Sequence, residues 1–423
     1  MKIHFIGIKG SSMSVLAEIA RNNGHEISGS DLAECGHSAQ NVKDCDLVVY
    51  SHAIDNDNCE LEEAKRRNIP TMSRSEYLSA LSEEYDSVFA VCGCHGKTTT
   101  TAMLYSTLKK LSPTLHVGAP VRDFVGKKNI FITEACEYKR GFLSLSPDFT
   151  VFTNVDYDHP DCYSSLSELK DAYLQFYKQS GTAFINADDK LSRFLIKRKN
   201  TVSYGFGKDA EFNATSLRPT PFGYTFDVNY KSHLLSSFTL NVKGRHNVYN
   251  ALGAIACAFS FGAGKNDIRE GIMKFEGVKR RNEFLGRLDC CDIYTDYAHH
   301  PTEITNQLTL LTSFYKSTAI IFQPHTFSRT ANLLNDFAFA LSKADCVILL
   351  PTFASRERGT DDDRLYNLLK TKTRIVKIGK NEVNEWVKSN AQNYACICYT
   401  GAGDIAREAR TLFLQNTSDI ASY

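Results

Sequence analysis

The sequence lacks any long apolar run, and this absence excludes several classes of protein. Residues 1–6 are largely apolar, but glycine and lysine interrupt the stretch by position 9, so it is too short for the core of a signal peptide. Nothing further along approaches the roughly 20 uninterrupted apolar residues that a membrane-spanning helix needs. We therefore expect a soluble protein that stays in the cytoplasm.

The sequence also lacks an excess of charge of either sign. Lysine and arginine number 49, aspartate and glutamate number 48, and the formal net charge is +1. Such a chain has no general field to attract nucleic acid or an anionic membrane. We expect neither as a partner, and any polyanion must be held at local sites.

The 13 cysteines are scattered through a long chain, unlike the dense cysteines of small secreted scaffolds. The close pairs, Cys92 with Cys94 and Cys290 with Cys291, do not have the spacing of a zinc site. We expect reduced thiols in a cytosol.

The chain of 423 residues is long enough for about three domains. Strand-like and helix-like stretches alternate along it, which predicts an α/β fold. We expect domains at residues 1–84, 85–284 and 285–423, each of them an α/β unit. Residues 190–198 are expected to form a helix capped by Asp188.

The first segment opens as a nucleotide-binding strand, turn and helix. Gly7 and Gly10 bound the turn, Ser11 and Ser12 follow it, and Asp31 ends the second strand. The dinucleotide fingerprint G-x-G-x-x-G is absent, which argues against a dehydrogenase and favours another nucleotide diphosphate. A simple packing turn is the alternative. The gap at residues 32–42 is short for a helical crossover, so this domain is expected to be trimmed.

A phosphate-binding loop is predicted at residues 91–99, VCGCHGKTT. An apolar strand precedes it and a helix follows, so backbone N–H groups and the helix N-terminus face one concavity. Lys97 is positioned for β- and γ-phosphates and Thr98 for Mg²⁺. The generic motif is incomplete, because only Gly93-x-x-Gly96-Lys97-Thr98 is present. The alternative is a glycine-rich turn with an incidental lysine.

Polar residues follow two later strands of this segment, Glu134 after one and His159 after the other. The carboxyl ends of parallel strands meet at one edge of a sheet, so both side chains are expected near Thr98. Carboxylate oxygen is a usual Mg²⁺ ligand, whereas histidine is a less usual one. A capped turn histidine is an equal alternative for His159.

Further polar residues mark a hinge and a third set of strand ends. Arg280 and Arg281 lie in a charged, glycine-led connection, from which they reach phosphate if the domains close; a solvated charge run is the alternative. Asn247 begins an apolar helix, where it caps the helix or contacts a nucleoside. Later strand ends carry the clusters DYAHHP at residues 296–301 and QPHTFSRT at residues 323–330.

Taken together, these motifs closely resemble those of the Mur ligases of peptidoglycan synthesis, across essentially the whole chain. The matching stretches, in order, are GIKGSSMS (7–14), GCHGKTTT (93–100), EACEY (134–138), TNVDYDHP (153–160), GRHN (244–247), DYAHHPTE (296–303), FQPH (322–325), SRT (328–330) and GAGD (401–404).

The resemblance implies a Rossmann-like N-terminal domain that binds UDP, a central P-loop ATPase-type domain, and a Rossmann-like C-terminal domain that closes over ATP and binds the amino acid. It implies ATP and Mg²⁺ as cofactors, UDP-N-acetylmuramate and L-alanine as substrates, and cytoplasmic amide-bond formation through an acyl phosphate. We expect a monomer or a weak homodimer.

The resemblance also assigns roles to single residues. The cofactor-binding set is Gly93, His95, Gly96, Lys97, Thr98, Thr99, Asn247 (adenine), Arg281 and Asp296 (ribose). The metal set is Thr98, Glu134 and His159, the last on a second Mg²⁺. The UDP-sugar set is Gly10, Ser11, Ser12, Asp31 and Ser51. Lys97, His299 and Arg329 are the catalytic set, and the last two also hold the alanine carboxylate or the reacting phosphate.

Three positions depart from the family pattern: Cys94 replaces a threonine, Ser12 a glycine and Asn282 a phenylalanine. The Ser12 change and the trimmed first domain bear on UDP affinity. Two alternative functions stay open, a ligase that joins recycled murein tripeptide to the same nucleotide sugar and a nucleotide-binding regulator without catalysis.

Overall fold

The computed structural model describes residues 1–32, 36–118, 125–157, 162–196, 198–355, 357–360 and 363–414. The chain divides into two compact units, of which the first contains residues 1–157 and 165–276 and the second is built mainly from residues 277–414. No helix within the described residues is long and apolar enough to cross a membrane.

A four-stranded parallel sheet forms the N-terminal part of the first unit. Its strands are β1 (Lys2–Ile6), β2 (Glu26–Ser30), β3 (Leu47–Tyr50) and β4 (Thr71–Ser73), in the order β2-β1-β3-β4. Its helices are α1 (Ser11–Asn22), α2 (Cys59–Arg66) and α3 (Arg74–Ser82). Between β2 and β3 the described residues contain a single 3₁₀ helix, Ala39–Val42, and no α-helix. The described crossover is therefore as short as the sequence predicts.

A buried carboxylate holds this short crossover in place. Glu60 of α2 is fully buried and accepts hydrogen bonds from Ser30 Oγ (2.6 Å), Asn41 Nδ2 (2.5 Å) and the Ser38 amide (3.2 Å). A buried carboxylate is tolerated only when such donors replace its water. Polar contacts to α2 thus anchor the crossover where a helix would otherwise pack.

A nine-stranded sheet forms the central part of the first unit. Its strands are β5 (Ser87–Cys92), β6 (Thr114–His116), β7 (Ile130–Glu134), β8 (Phe149–Phe152), β9 (Thr182–Asn186), β10 (Thr201–Gly205), β11 (Phe212–Pro219), β12 (Tyr224–Tyr230) and β13 (His233–Leu240). Its helices are α4 (Lys97–Leu108), α5 (Leu166–Gln179), α6 (Arg245–Phe261) and α7 (Lys265–Met273). 3₁₀ helices lie at Lys109–Leu111, Tyr138–Ser144 and Arg193–Leu195.

The strand order of this sheet is β13-β12-β11-β10-β9-β8-β5-β7-β6. In this order, each strand from β11 across to β6 is parallel to its neighbours within that range. Strands β12 and β13 add an antiparallel ribbon next to β11. Because β5 lies between β7 and β8, the ends of those three strands are neighbours. The prediction of a helix at residues 190–198 is wrong. Asp188 instead accepts hydrogen bonds from the Phe206 amide (2.7 Å) and Tyr249 Oη (3.1 Å), and the described part of this stretch, residues 190–196 and 198, contains a 3₁₀ helix at Arg193–Leu195 and no α-helix.

The second unit holds a six-stranded sheet. Its strands are β14 (Glu283–Leu288), β15 (Cys291–Asp296), β16 (Thr318–Phe322), β17 (Cys346–Leu349), β18 (Arg374–Lys377) and β19 (Cys396–Thr400), in the order β14-β15-β19-β16-β17-β18. Only β14 is antiparallel to its neighbour. Its helices are α8 (Pro301–Phe314), α9 (Phe327–Asn332), α10 (Leu334–Leu341), α11 (Arg364–Lys370), α12 (Val383–Asn390) and α13 (Ile405–Leu414), with 3₁₀ helices at Lys380–Glu382 and Ala391–Asn393.

The observed α/β architecture, with a mainly parallel sheet in each predicted segment, agrees with the predicted fold class. The domain boundaries stay predictions; the one at residue 284 falls within β14. Each described cysteine is a free thiol.

Candidate active site

The predicted phosphate loop joins β5 to α4 and requires glycine at two positions. Gly93 has φ 136°, and a Cβ there would lie 2.0 Å from Thr153 Oγ1. Gly96 has φ 81°, and its Cβ would lie 2.6 Å from Asn250 Oδ1. Since both the backbone angle and the space exclude a side chain, the loop can bring its backbone close to a ligand.

The end of β8 fixes the shape of this loop. Asn154 accepts from the His95 amide and donates to the His95 carbonyl, each at 2.9 Å. Thr153 Oγ1 donates to the same carbonyl at 2.7 Å. The His95 ring contacts Asp156, with Nε2 3.0 Å from Oδ2. The loop is therefore preorganised by residues about 60 positions later in the chain.

Lys97 folds back over its own loop. Its Nζ donates to the Gly93 carbonyl (2.5 Å) and the Cys94 carbonyl (3.2 Å), and lies 3.0 and 3.1 Å from the two carboxylate oxygens of Glu137. The Glu137 side chain is only 1% exposed. Burial alone would lower the pKa of Lys97, but the negative charge of Glu137 outweighs it and the pKa is raised. Lys97 therefore stays positively charged within the phosphate loop.

Two of the three predicted metal ligands are described. Thr98 lies in the first turn of α4 and is nearly buried, and Glu134 ends β7 opposite Val91 of β5. A hydroxyl in the first turn of α4 and a carboxylate at the end of β7, the neighbour of β5, are oxygen donors of the kind that Mg²⁺ prefers. Both residues fit this ion. His159 lies outside the described residues, and its predicted role stays a prediction.

The start of α6 packs directly on the phosphate loop. Asn247 is 6% exposed, donates to the Lys243 carbonyl at 2.7 Å and accepts from Asn250 Nδ2 at 3.1 Å. Asn250 in turn lies against Gly96. The predicted adenine residue is thus separated from the loop by one asparagine, Asn250. The first residue before α6 is Gly244, and no side chain of the described residues caps the helix there.

The residues predicted for the nucleotide sugar lie at the carboxyl ends of β1, β2 and β3. They are Gly10, Ser11, Ser12, Asp31 and Ser51. Asp31 accepts from the Lys9 amide at 3.2 Å, and Ser51 lies against Gly7, whose Cβ would approach Ser51 Cβ to 3.2 Å. No side chain of the described residues caps α1 at Gly10, so the first N–H groups of this helix can donate to a ligand.

A polar chain connects this turn to the central sheet within the first unit. Ser12 Oγ lies 2.8 Å from His116 Nε2, and His116 Nδ1 lies 2.8 Å from Thr133 Oγ1. A Cβ on Gly118 would lie 3.8 Å from Ser11 Oγ and 3.7 Å from Glu134 Oε2. Ser11 of the first turn of α1 and the predicted metal ligand Glu134 therefore face a common space beside Gly118.

In the second unit, Asp296 ends β15 and anchors the backbone around it. Its oxygens accept from the Asn282 amide (2.6 Å) and the Ala298 amide (2.7 Å). Burial raises the pKa of Asp296 to about 6, against the opposing charge of Arg281. Arg281 lies 3.6 Å from Glu303 and over the Tyr297 ring, 5.0 Å from its centroid.

The structure brings His299 and Arg329 together around a third residue. The rings of His299 and His325 meet edge to face, with centroids 5.7 Å apart. Arg329 is 5% exposed, and its Nη1 lies 3.3 Å from His325 Nδ1. The three side chains follow β15 and β16, and they form one basic cluster suited to an anion.

Sequence reasoning missed several residues that shape these sites: Arg74, Glu137, Asn154, Asn250 and His325. Each acts through a contact distant in sequence. A signal existed for three of them, because Glu137, Asn154 and His325 lie inside motifs that the sequence had already singled out.

Comparison with known proteins covers nearly the whole chain. Models of the Mur ligase family match in order: its catalytic domain at residues 2–86, its middle domain at 91–258 and its glutamate ligase domain at 280–403. A UDP-N-acetylmuramate–L-alanine ligase of Clostridium beijerinckii is 37% identical over 438 residues, covering 96% of this chain and 95% of its own. The enzyme of the same name from Caldicellulosiruptor saccharolyticus is also 37% identical, covering 96% of each.

Solved structures agree with these matches. A UDP-N-acetylmuramate–alanine ligase from Thermotoga maritima has a TM-score of 0.84 at 28% identity, over 98% of this chain and 99% of its own. A murein peptide ligase from Psychrobacter arcticus has a TM-score of 0.74 at 22% identity, over 99% and 100%, and this likeness concerns the fold alone. On the family models and the curated relatives together, the chain belongs to the Mur ligase family.

Proposed function

We propose that this protein is an ATP-dependent ligase that joins L-alanine to the carboxylate of UDP-N-acetylmuramate in peptidoglycan precursor synthesis. The relatives that carry this name support the substrates. The observation that carries the proposal is that Ser11, in the first turn of α1, and Glu134, the proposed Mg²⁺ ligand at the end of β7, both lie within 4 Å of the Cβ position of Gly118. Glu134 is paired with Val91 of β5, the strand that leads into the phosphate loop, so a nucleotide sugar on the turn at α1 and Mg-ATP on the phosphate loop can react there.

The proposed reaction has two steps. An oxygen of the muramyl carboxylate attacks the γ-phosphorus of ATP, the bond to the β,γ-bridging oxygen breaks, and ADP leaves. The neutral amine of alanine then attacks the acyl carbon, the bond from that carbon to the phosphate oxygen breaks, and phosphate leaves. The nitrogen gives up one proton and keeps one as the amide N–H.

The residues of the first unit suit the first step. Lys97 stabilises the charge that moves onto the leaving oxygen, and the backbone from Gly93 to Thr99 cradles the phosphates. Thr98 and Glu134 would hold Mg²⁺, which when bound would supply charge neutralisation for the two anions that must approach each other. We propose Asn247 for adenine and the turn at Gly10, Ser11 and Ser12, with Asp31 and Ser51, for the UDP group.

The residues of the second unit have side chains suited to binding the nucleoside of ATP and the acceptor L-alanine. Asp296 is proposed to contact the ATP ribose, and Arg281 a phosphate. The cluster of His299 and Arg329 is proposed to bind the alanine carboxylate or the reacting phosphate. A reaction that consumes ATP agrees with a cytoplasmic location.

The two alternative functions receive less support. The tripeptide-joining ligase is represented by a structural neighbour at 22% identity, while curated relatives at 34–37% identity carry the alanine-ligase name. A regulator without catalysis has no need for Lys97, Thr98 and Glu134 at one strand edge.

Phosphate release tests the proposal. Purified protein is expected to release phosphate from Mg-ATP only when UDP-N-acetylmuramate and L-alanine are both present. L-Serine, glycine and the tripeptide as acceptors define specificity, and Lys97→Gln serves as the inactive control. Release without any acceptor, or no release with both substrates, would contradict the ligase function, and preference for the tripeptide would favour the sister ligase.

A further inference from the structure

Arg74 begins α3, directly after β4, and its guanidinium reaches the first turn of α1. Its Nη1 donates to Ser12 Oγ at 3.2 Å. In the part of the chain that the structure describes, no carboxylate forms an ion pair with it. The side chain is half-buried. A half-buried cation without a counter-ion is costly unless a ligand supplies one.

The surroundings of Arg74 do not neutralise it. His116 shares the hydroxyl of Ser12 with it. Burial, and secondly the charge of Arg74, lower the pKa of His116 to about 3, so the imidazole is neutral near pH 7. On the other side, a Cβ on Gly141 would lie 3.7 Å from Arg74 Nη2. Glycine there leaves one edge of the guanidinium uncovered by a side chain.

The position of Arg74 bridges two parts of the first unit. Ser12 belongs to the turn proposed for the UDP group, and Gly141 belongs to the 3₁₀ segment that follows Glu134 and Glu137. A nucleotide sugar that extends from the first turn towards the phosphate loop must pass this cation. The guanidinium has five donors in a planar fork that fits phosphate and carboxylate oxygens. Within the described residues, one hydrogen bond from this fork is formed, to Ser12.

We propose that Arg74 is a substrate-binding and specificity-determining residue that holds an anionic group of the nucleotide sugar, either its diphosphate or its muramyl carboxylate. The inference rests on the proposed function and assigns a residue that neither the motifs nor the family resemblance singled out. Ser12 acts as a positioning residue, because its hydroxyl orients the fork.

Calorimetric binding to the full-length protein tests the proposal. The probes are UDP, UDP-N-acetylglucosamine, UDP-N-acetylmuramate and a non-hydrolysable Mg-ATP analogue, at one ionic strength. Arg74→Met is expected to weaken the binding of each UDP compound that carries the recognised anionic group about 10- to 100-fold. Arg74→Lys is expected to weaken this binding by a smaller factor, because lysine keeps the charge without the fork. ATP-analogue binding stays unchanged. Equal losses for all three UDP compounds identify the diphosphate, and a loss confined to UDP-N-acetylmuramate identifies the carboxylate.

Arg67→Met is the matched control. Arg67 caps the end of α2 and pairs with Glu63 on the surface, so the same chemical change is made away from the turn and no probe should lose affinity. Thermal melting verifies that each variant is folded. If Arg74→Met is unfolded, the test is made on Arg74→Lys instead. Wild-type affinity for every UDP compound in a folded Arg74 variant would overturn the inference, as would a parallel loss of ATP-analogue binding. If wild-type protein itself fails to bind UDP-N-acetylmuramate, the proposed function fails instead.

Discussion

At the scale of single residues, the pairing of Lys97 with Glu137 decides how the phosphate loop behaves. The carboxylate is 1% exposed and the lysine side chain 15% exposed. Removing one partner of such a pair leaves the other charge buried and unpaired, which costs more than the pair itself contributes. The catalytic lysine is therefore also a structural residue.

Lys97→Met is accordingly expected to abolish turnover and also to lower the free energy of unfolding by about 3 to 5 kcal/mol. The double variant Lys97→Met/Glu137→Gln removes both charges and should recover at least half of that loss while remaining inactive. Urea unfolding of the two variants measures this difference. A single variant as stable as wild type would show that the pair is not buried as described.

Because the His116 imidazole is buried and neutral, we expect the stability of the protein to depend on pH. Burial lowers its pKa from 6.5 to about 3. The pKa of His116 is lower in the folded state than in the unfolded state. The free energy of unfolding therefore has its full value above pH 6.5 and decreases as the pH falls towards 3. Between pH 7.5 and pH 5 the loss is about 2 kcal/mol.

Urea unfolding at pH 7.5 and pH 5 measures this slope. His116→Gln should reduce the pH-dependent loss by about 2 kcal/mol, and His233→Gln, at an exposed histidine of β13, should leave it unchanged. An identical slope in wild type and His116→Gln would contradict the buried, neutral imidazole.

At the scale of elements, the phosphate loop depends on the fit between β5, α4 and the end of β8. Gly93→Ala forces a Cβ towards Thr153 Oγ1 at a left-handed φ. We expect this variant to lose at least about tenfold in ATP affinity, since the loop must shift to admit the methyl group. Titration with an ATP analogue measures the loss.

Gly24→Ala is the control for backbone strain. Gly24 also has positive φ, at 89°, but a Cβ there meets nothing within 4 Å. It should cost about 1 kcal/mol of stability and leave ATP affinity intact. Equal effects of the two variants on ATP affinity would show that the contact with Thr153 does not shape the loop.

The same elements explain what the sequence could and could not predict. The loop itself was predictable, because strand, glycine turn and helix are adjacent in the chain. Glu137, Asn154 and Asn250 were not, because their roles arise only when β7 and β8 pair beside β5 and α6 packs on α4. The helix predicted at residues 190–198 failed for a similar reason, since Asp188 bonds to residues that are distant in sequence.

At the scale of the whole molecule, alternating strands and helices were sufficient to predict the α/β class, and the three ordered family matches confirm the family. Strand order within each sheet was not predictable, because periodicity does not encode pairing. The shortened crossover was predictable from chain length alone, whereas its polar anchor on Glu60 was not. The domain boundaries and the roles of individual site residues remain predictions.

The central claim, amide formation through an acyl phosphate, is tested most directly by an isotope measurement. UDP-N-acetylmuramate labelled with ¹⁸O in its carboxylate is incubated with the protein, Mg-ATP and L-alanine, and the released phosphate is analysed by mass spectrometry. If the carboxylate oxygen attacks the γ-phosphorus, each phosphate carries one ¹⁸O and an equal amount of alanylated nucleotide sugar forms. Unlabelled phosphate would contradict the account, as would alanylated product without phosphate release.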